Sequence, residues 1–302
     1  MAVCFYHNDP DGRLSAFVVK LWHDNRFKSD SLKLVRMEYT DAFPFHHISD
    51  GERVYMVDFS TNPTDMERLW NMSGRTFVWI DHHKTAIQAC SGLNHVIAGL
   101  RSTEYAGCVL TWMSLFGEGY PEGNQEPSQI LGDFSRVPDF IQLVGDYDAW
   151  RWEFGRRTMS FYYGLLSMDT DPESRTWASL LSEYLVKPED GLLIDRIIND
   201  GDAIIRYRDQ YAADYSRSWG YPTVLDGIKA YAVNLARPSS LFFDAANLPS
   251  DIELFIGYVD DHGEWNVSIY SKKHDVSEIA KRYGGGGHAG AAGFRCKQLP
   301  WE

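Results

Sequence analysis

The fold class this sequence predicts is α/β: a parallel-sheet N-terminal domain and a smaller α+β C-terminal domain. A helical linker joins them, and the working site is expected in the cleft between. Three observations lead there. The chain has 302 residues, more than one compact core usually takes. Its first half alternates strand-like and helix-like segments, as a parallel sheet covered by helices does. Towards the end the texture changes to paired strand-like runs and a Gly-rich tract.

Taken in order, "AVCFYH" reads as a buried strand. "DGRLSAFVVKLWHDNRF" reads as an amphipathic helix, with Leu14, Phe17, Val18 and Leu21 at helical spacing. "SLKLVRMEY", "RVYMVDF" and "RTFVWID" are further strands. Between the last two, "NPTDMERLW" carries Pro63 near its start, as a helix opening does. "TEYAGCVLTWMSLF" is the next helix, "GEGYPEGNQEPSQ" a loop, and "FSRVPDFIQLVGDYDAW" resumes a helical pattern. From Pro188, "DGLLIDRIINDGDAIIRYRDQYAADYSRSW" predicts a long connecting helix. Beyond it, "IELFIGYVDDHGEWNVSIYS" holds two strand-like runs around an Asp-His-Gly turn. The expected domains are 1–187, a linker helix over 188–214, and 215–302.

Hydrophobic residues make up 44% and aromatics 14%, which excludes a disordered chain. No apolar run reaches membrane-spanning length, and "MAVCFYHNDPDG" lacks the flanks of a signal peptide. Cys4, Cys90, Cys108 and Cys296 are far apart with no C-x-x-C. That spacing fits a reduced cytoplasm and argues against thiolate zinc. The net charge of −13 opposes counterion-driven binding to long duplexes. A nucleic-acid partner should be short, or held by local positive charge that includes metal. No membrane partner is expected.

Three predicted strands end in acid-rich tips: His7, Asp9 and Asp11; Asp58; and Asp81, His82 and His83 of "VWIDHHKT". Singly, each acid reads as a helix cap or turn residue. Jointly they would meet, because the carboxyl ends of parallel strands line one edge of the sheet. Crowded carboxylates raise one another's pKa unless a cation intervenes. Oxygen ligands mixed with imidazole suit Mn²⁺ or Mg²⁺, and this many acids suit two ions that clamp a phosphoryl group. His46 and His47 are also in tandem but follow no acid-tipped strand, so they read as loop residues.

"HNDPDG", "VDFS", "IDHHKT" and "GDYDAW" resemble, in order, the four motifs of the DHH phosphoesterases, the family named for its Asp-His-His triplet. "GGGGHAGAAGF" resembles the glycine-rich signature of the DHH-associated domain in RecJ-type exonucleases and nano-RNases. The resemblance spans nearly the whole chain. It implies one metal on His7, Asp9 and Asp58, and a second on Asp11, Asp58, His82 and Asp146. Asp58 would bridge them, His83 would face the substrate phosphate, and Asp81 would orient its neighbours from behind. Only Asn8 separates the first His from the first Asp, whereas many relatives have three residues there; the H-x-D-x-D-G form is closer to the RecJ-like branch.

In the C-terminal part, Gly286, Gly287 and His288 are implied to grip the substrate. Tyr270 stands near where several relatives carry a binding Arg. Arg282, Lys281 and Arg237 are candidates to replace that charge. Tyr147, Trp150 and Trp152 read as packing residues. The implied activity is metal-dependent phosphodiester hydrolysis of short nucleotides to mononucleotides. Alternatives are a phosphomonoesterase on nucleoside 3′,5′-bisphosphates, a pyrophosphatase or polyphosphatase, and a non-catalytic nucleotide sensor. A homodimer is compatible with this pattern.

Overall fold

A computed structural model describes residues 1–117, 136–186, 192–236, 239–246 and 248–301. The Gly/Pro-rich loop expected after residue 117, and Arg237, lie outside them. Among the described residues the strands are β1 Ala2–His7, β2 Leu32–Met37, β3 Arg53–Val57, β4 Phe77–Ile80, β5 Gly220–Leu225, β6 Ile228–Asn234, β7 Leu254–Asp261, β8 Glu264–Tyr270, β9 Gly286–His288 and β10 Ala291–Cys296. The α-helices are α1 Pro10–Arg26, α2 Pro63–Ser73, α3 Lys84–Ala89, α4 Gly107–Phe116, α5 Asp139–Asp148, α6 Arg156–Leu165, α7 Arg175–Val186, α8 Leu192–Trp219, α9 Ser240–Ala245 and α10 Val276–Arg282. The chain divides into two compact units, Met1–Asp202 and Ala203–Glu302, and the division falls inside α8. No helix is long and apolar enough to cross a membrane among the described residues.

In the first unit the sheet order is β2-β1-β3-β4, with every pair parallel. The inner strands β1 and β3 and the edge strand β4 are almost wholly apolar and buried because both faces are covered, whereas the edge strand β2 carries Lys33 and Arg36. Ala2, Cys4, Tyr6, Tyr55, Val57, Val78 and Ile80 enter one core with Leu14 and Val18 of α1, Leu110 of α4 and Val144 of α5. Val3, Phe5, Val54, Met56, Phe77 and Trp79 enter the other, with Met66 and Leu69 of α2. Each fully buried Val, Leu, Ile, Phe or Met side chain among them contributes about 1.5–3 kcal/mol. Since all four strands run the same way, β1, β3 and β4 deliver their last residues to one edge.

The helix starts agree with the sequence. Asp9 caps α1 by accepting the Gly12 N–H, with Pro10 in the first turn. Asn62 caps α2 the same way through the Asp65 N–H, followed by Pro63.

The second unit is a six-stranded mixed sheet ordered β5-β6-β7-β8-β10-β9, in which only β6 and β7 pair in parallel. The Asp-His-Gly step is a hairpin turn: His262 and Gly263 have φ of 56° and 91°, as a two-residue turn with the strands' twist requires. One sheet face packs on α10 through Val276, Ile279 and Ala280. The other carries Phe242 and Phe243 of α9 and Ala212 of α8.

Candidate metal centre

Asp58 follows β3 directly and is 1% exposed. Its φ of 50° is left-handed, a conformation that a non-glycine residue adopts only when its surroundings impose it. Its N–H is held by the Ile80 carbonyl at 2.9 Å, yet among the described residues neither carboxylate oxygen accepts a hydrogen bond of regular geometry. An unpaired buried carboxylate is costly. Burial first, then the charges of Asp11, Asp9 and Asp148, push its carboxyl well above the usual carboxylate range.

Around Asp58 the strand tips converge. His7 Nδ1 lies 2.7 Å from Asp9 Oδ2 and 4.0 Å from Asp58 Oδ2. His82 Nε2 lies 3.1 Å from Asp58 Oδ1, 3.3 Å from Asp148 and 3.8 Å from Asp11. The two oxygens of Asp58 thus face different ligand sets. His7, Asp9 and Asp58 form one group able to hold a cation, and Asp11, His82 and Asp148 another. Asp58, His82 and His83 form a third, overlapping group. The donor set is carboxylate and imidazole, which suits a hard divalent ion. Together with the orphaned oxygens of Asp58, these residues fit such an ion.

Asp11 is buried, and its two oxygens accept the N–H groups of Gly107 and Cys108 at 2.7 Å each. These are the first donors of α4, so the positive end of that helix steadies the acid. The approach needs glycine: a Cβ on Gly107 would stand 2.6 Å from Asp58 Cβ and 3.0 Å from Asp11 Oδ2. The Gly12 of H-x-D-x-D-G has a similar cause, since any Cβ there would collide with the His7 carbonyl.

Asp81 is fully buried just past the end of β4 and belongs to none of the groups above. One oxygen accepts the Ser60 hydroxyl, which in turn accepts Trp79 Nε1–H at 2.9 Å. The other accepts the His82 N–H at 2.8 Å and His83 Nδ1–H at 2.7 Å. Burial would raise the Asp81 carboxyl, but the bonds from His83 and Ser60 hold it below its usual value. Burial likewise opposes protonation of His83, and Asp81 more than offsets it, raising the imidazole above its ordinary value. At His7 the hydrogen bond to Asp9 has the same effect.

Asp146, expected as a ligand, is not brought to the other acids. Asp146 accepts the N–H of Glu153 at 2.8 Å, that of Phe154 at 3.3 Å and the Thr158 hydroxyl, facing α6. It joins none of the cation groups. The acid that reaches His82 is Asp148, whose carboxyl is pushed well up by burial and by Asp11 and Asp9. On a helix, residues two apart point roughly 200° away from each other. Ile141, Gly145 and Asp148 share the α4 side of α5, and Gly145 packs closely against Val109. That phase was the sequence signal for Asp148.

The aromatic group beside it divides. Tyr147 stacks on Tyr162 at 3.5 Å, while Trp150 is 60% exposed with φ of 54°, so packing does not account for Trp150. His46 and His47 lie in a short 3₁₀ turn away from the acids, His47 bonded to Lys33.

In the second unit, Gly286, Gly287 and His288 form the exposed edge strand β9. Ala291 pairs with both His288 and Tyr270, so the three share one face in a row. Tyr270 also leans on Phe243 at 5.8 Å. Arg282 is paired with Asp226 at 3.2 Å and Lys281 with Glu278 at 2.6 Å.

No family model matches the chain. It is 26% identical to oligoribonuclease NrnB of Bacillus subtilis, over 96% of this chain and 71% of that protein. Among solved structures it is similar to PggH, a pGpG-specific phosphodiesterase of Vibrio cholerae, with a TM-score of 0.51. Identity there is 12%, over 98% of this chain and 93% of that one. It is equally similar to exonuclease RecJ bound to manganese, with a TM-score of 0.51 and 12% identity, over 98% of this chain and 85% of that one. At those identities the two structures speak for the fold.

Proposed function

We propose, from the premise that this chain belongs to the DHH-family phosphoesterases, that it hydrolyses the phosphodiester bonds of short nucleotides, releasing mononucleotides. The observation that carries the proposal is Asp58: a buried carboxylate whose oxygens make no hydrogen bond of regular geometry among the described residues, ringed by Asp9, Asp11, Asp148 and three imidazoles. The short-nucleotide class draws on the relative named as an oligoribonuclease and on the neighbour named as a pGpG phosphodiesterase. The net charge of −13 agrees, since it disfavours long duplexes.

His7 and Asp9 would hold one ion and Asp11, His82 and Asp148 another, Asp58 serving both; manganese is the proposed metal. When bound, such ions neutralise the acids and the phosphoryl oxygens and make water a competent nucleophile at neutral pH. The chain's own groups do the rest. Asp81 accepts Nδ1–H of His83 and favours its imidazolium form, in which Nε2–H would donate to a phosphoryl oxygen as charge builds there. Residues 1–187, within the first unit, are proposed as the catalytic domain. The row of His288, Ala291 and Tyr270 beside the Gly286–Gly287 edge is proposed to bind the rest of the substrate, its exposed backbone admitting a phosphate or sugar closely.

The test is a parallel assay with Mn²⁺ on a dinucleotide and on a nucleoside 3′,5′-bisphosphate. Mononucleotide release from the dinucleotide, lost in Asp58→Asn, is expected. Preference for the bisphosphate, or an Asp58→Asn variant as active as wild type, would refute it.

A further inference from the structure

Tyr39 belongs to none of the motifs above. In the parallel register of β1 and β2, His7 pairs with Met37. Two residues past that pair, just beyond the strand ends, come Asp9, the cap of α1, and Tyr39, in a turn. The Tyr39 ring lies 5.1 Å from the His7 ring, 5.6 Å from the His83 ring and 5.0 Å from Phe59. Phe59 is buried and supports it from beneath, yet Tyr39 itself is 52% exposed. An aromatic ring this open, next to two imidazoles of the metal centre, is not there to fill a core.

Its position is pinned. The Asp41 N–H donates to the Glu38 carbonyl at 2.9 Å, and the Glu38 N–H donates back to the Asp41 carboxylate at 3.0 Å. Asn8 Nδ2–H donates to Glu38 Oε1 at 2.9 Å, tying the turn to the His7–Asp9 segment. The ring is therefore presented on a braced turn. Such a preordered aromatic face loses little entropy when a flat ligand settles on it.

We propose that Tyr39 is a stacking platform for the nucleobase attached to the phosphate being cleaved. This rests on the function proposed above and adds to it a base subsite in the first unit. The neighbouring histidines put the platform within one nucleoside of the site that would hold the phosphate. A π-face without directed donors accepts any base, so the subsite is tolerant of sequence. Base stacking on an aromatic residue, lost on alanine substitution, corresponds to roughly 5- to 150-fold in affinity.

The experiment compares wild type with Tyr39→Ala, Tyr39→Leu, Tyr39→Phe and Tyr39→Trp. The probes are a 5′-phosphorylated diadenylate and its two counterparts lacking one base each. Thermal melts and Mn²⁺ titration check each variant. On the intact dinucleotide, Tyr39→Ala and Tyr39→Leu should raise KM roughly 5- to 150-fold, with Mn²⁺ affinity unchanged. Tyr39→Phe and Tyr39→Trp should stay near wild type. The penalty should persist with one abasic probe and vanish with the other. Equal KM in Tyr39→Leu and wild type, or a penalty unchanged on both abasic probes, would overturn the platform. A wild-type enzyme that cleaves none of the three would instead sink the function proposed above, and the platform with it.

Discussion

At the scale of single residues, the proposed chemistry turns on which of two aspartates in "GDYDAW" reaches the candidate metal centre. Both are carboxylates and both belong to α5, so motif matching alone does not separate them. Asp146 satisfies three donors around the α5–α6 connection. Asp148 faces Asp11 and His82 and carries a carboxyl raised by burial and by the neighbouring acids. The two alanine variants should therefore fail in opposite ways. Asp146→Ala removes a buried acceptor and should cost about 1–3 kcal/mol in urea melts while leaving Mn²⁺ affinity near wild type. Asp148→Ala should weaken Mn²⁺ binding and, by relieving repulsion, stabilise the metal-free protein. The reverse pattern in calorimetry and melts would show the assignment to be mistaken.

At the scale of elements, a parallel sheet turns three separated stretches into one site. That much was legible: uninterrupted apolar runs in β1, β3 and β4, each stopped by His or Asp, imply buried strands with ligands at their carboxyl ends. What a sequence pattern conceals is helix phase and strand register. Asp148 required the rotation of α5 about its axis, and Tyr39 required the pairing of His7 with Met37. Nor did any motif mark Gly107, whose bare backbone lets the start of α4 press against Asp11 and Asp58. Gly107→Ala must push that helix end away and lengthen both hydrogen bonds to Asp11. A loss of about 10- to 100-fold in Mn²⁺ affinity or activity is expected, as for other residues that orient ligands, with helical content by circular dichroism unchanged. Full activity would mean that α4 contributes nothing to the centre.

At the scale of the whole molecule, the acids proposed to hold metal burden the fold when no cation is bound. Asp58 and Asp148 have carboxyls raised in the folded state, so the folded protein retains protons that the unfolded chain releases. The stability they confer is present below the ordinary carboxylate range and is lost as pH climbs through their raised values. His7 and His83, raised by Asp9 and Asp81, add a loss as pH passes their own values. Asp9 and Asp81 act oppositely: their carboxyls are lowered, and what they contribute disappears only as pH falls through those values in acid. The Tm of chelated protein should thus decline as pH rises from about 5 to 8. Mn²⁺ should raise it most at the upper end, where the ligands bind deprotonated; at a hundredfold excess over Kd the gain is about 2.7 kcal/mol. A Tm indifferent to Mn²⁺ across that range would count against a metal site of any kind.

The most direct test is an anomalous difference map, at the manganese edge, from crystals grown with Mn²⁺. Two peaks are expected on either side of Asp58, one beside His7 and Asp9 and the other beside Asp11, His82 and Asp148. A map with no peak in contact with Asp58, or with the ion seated at Asp146, would contradict the account.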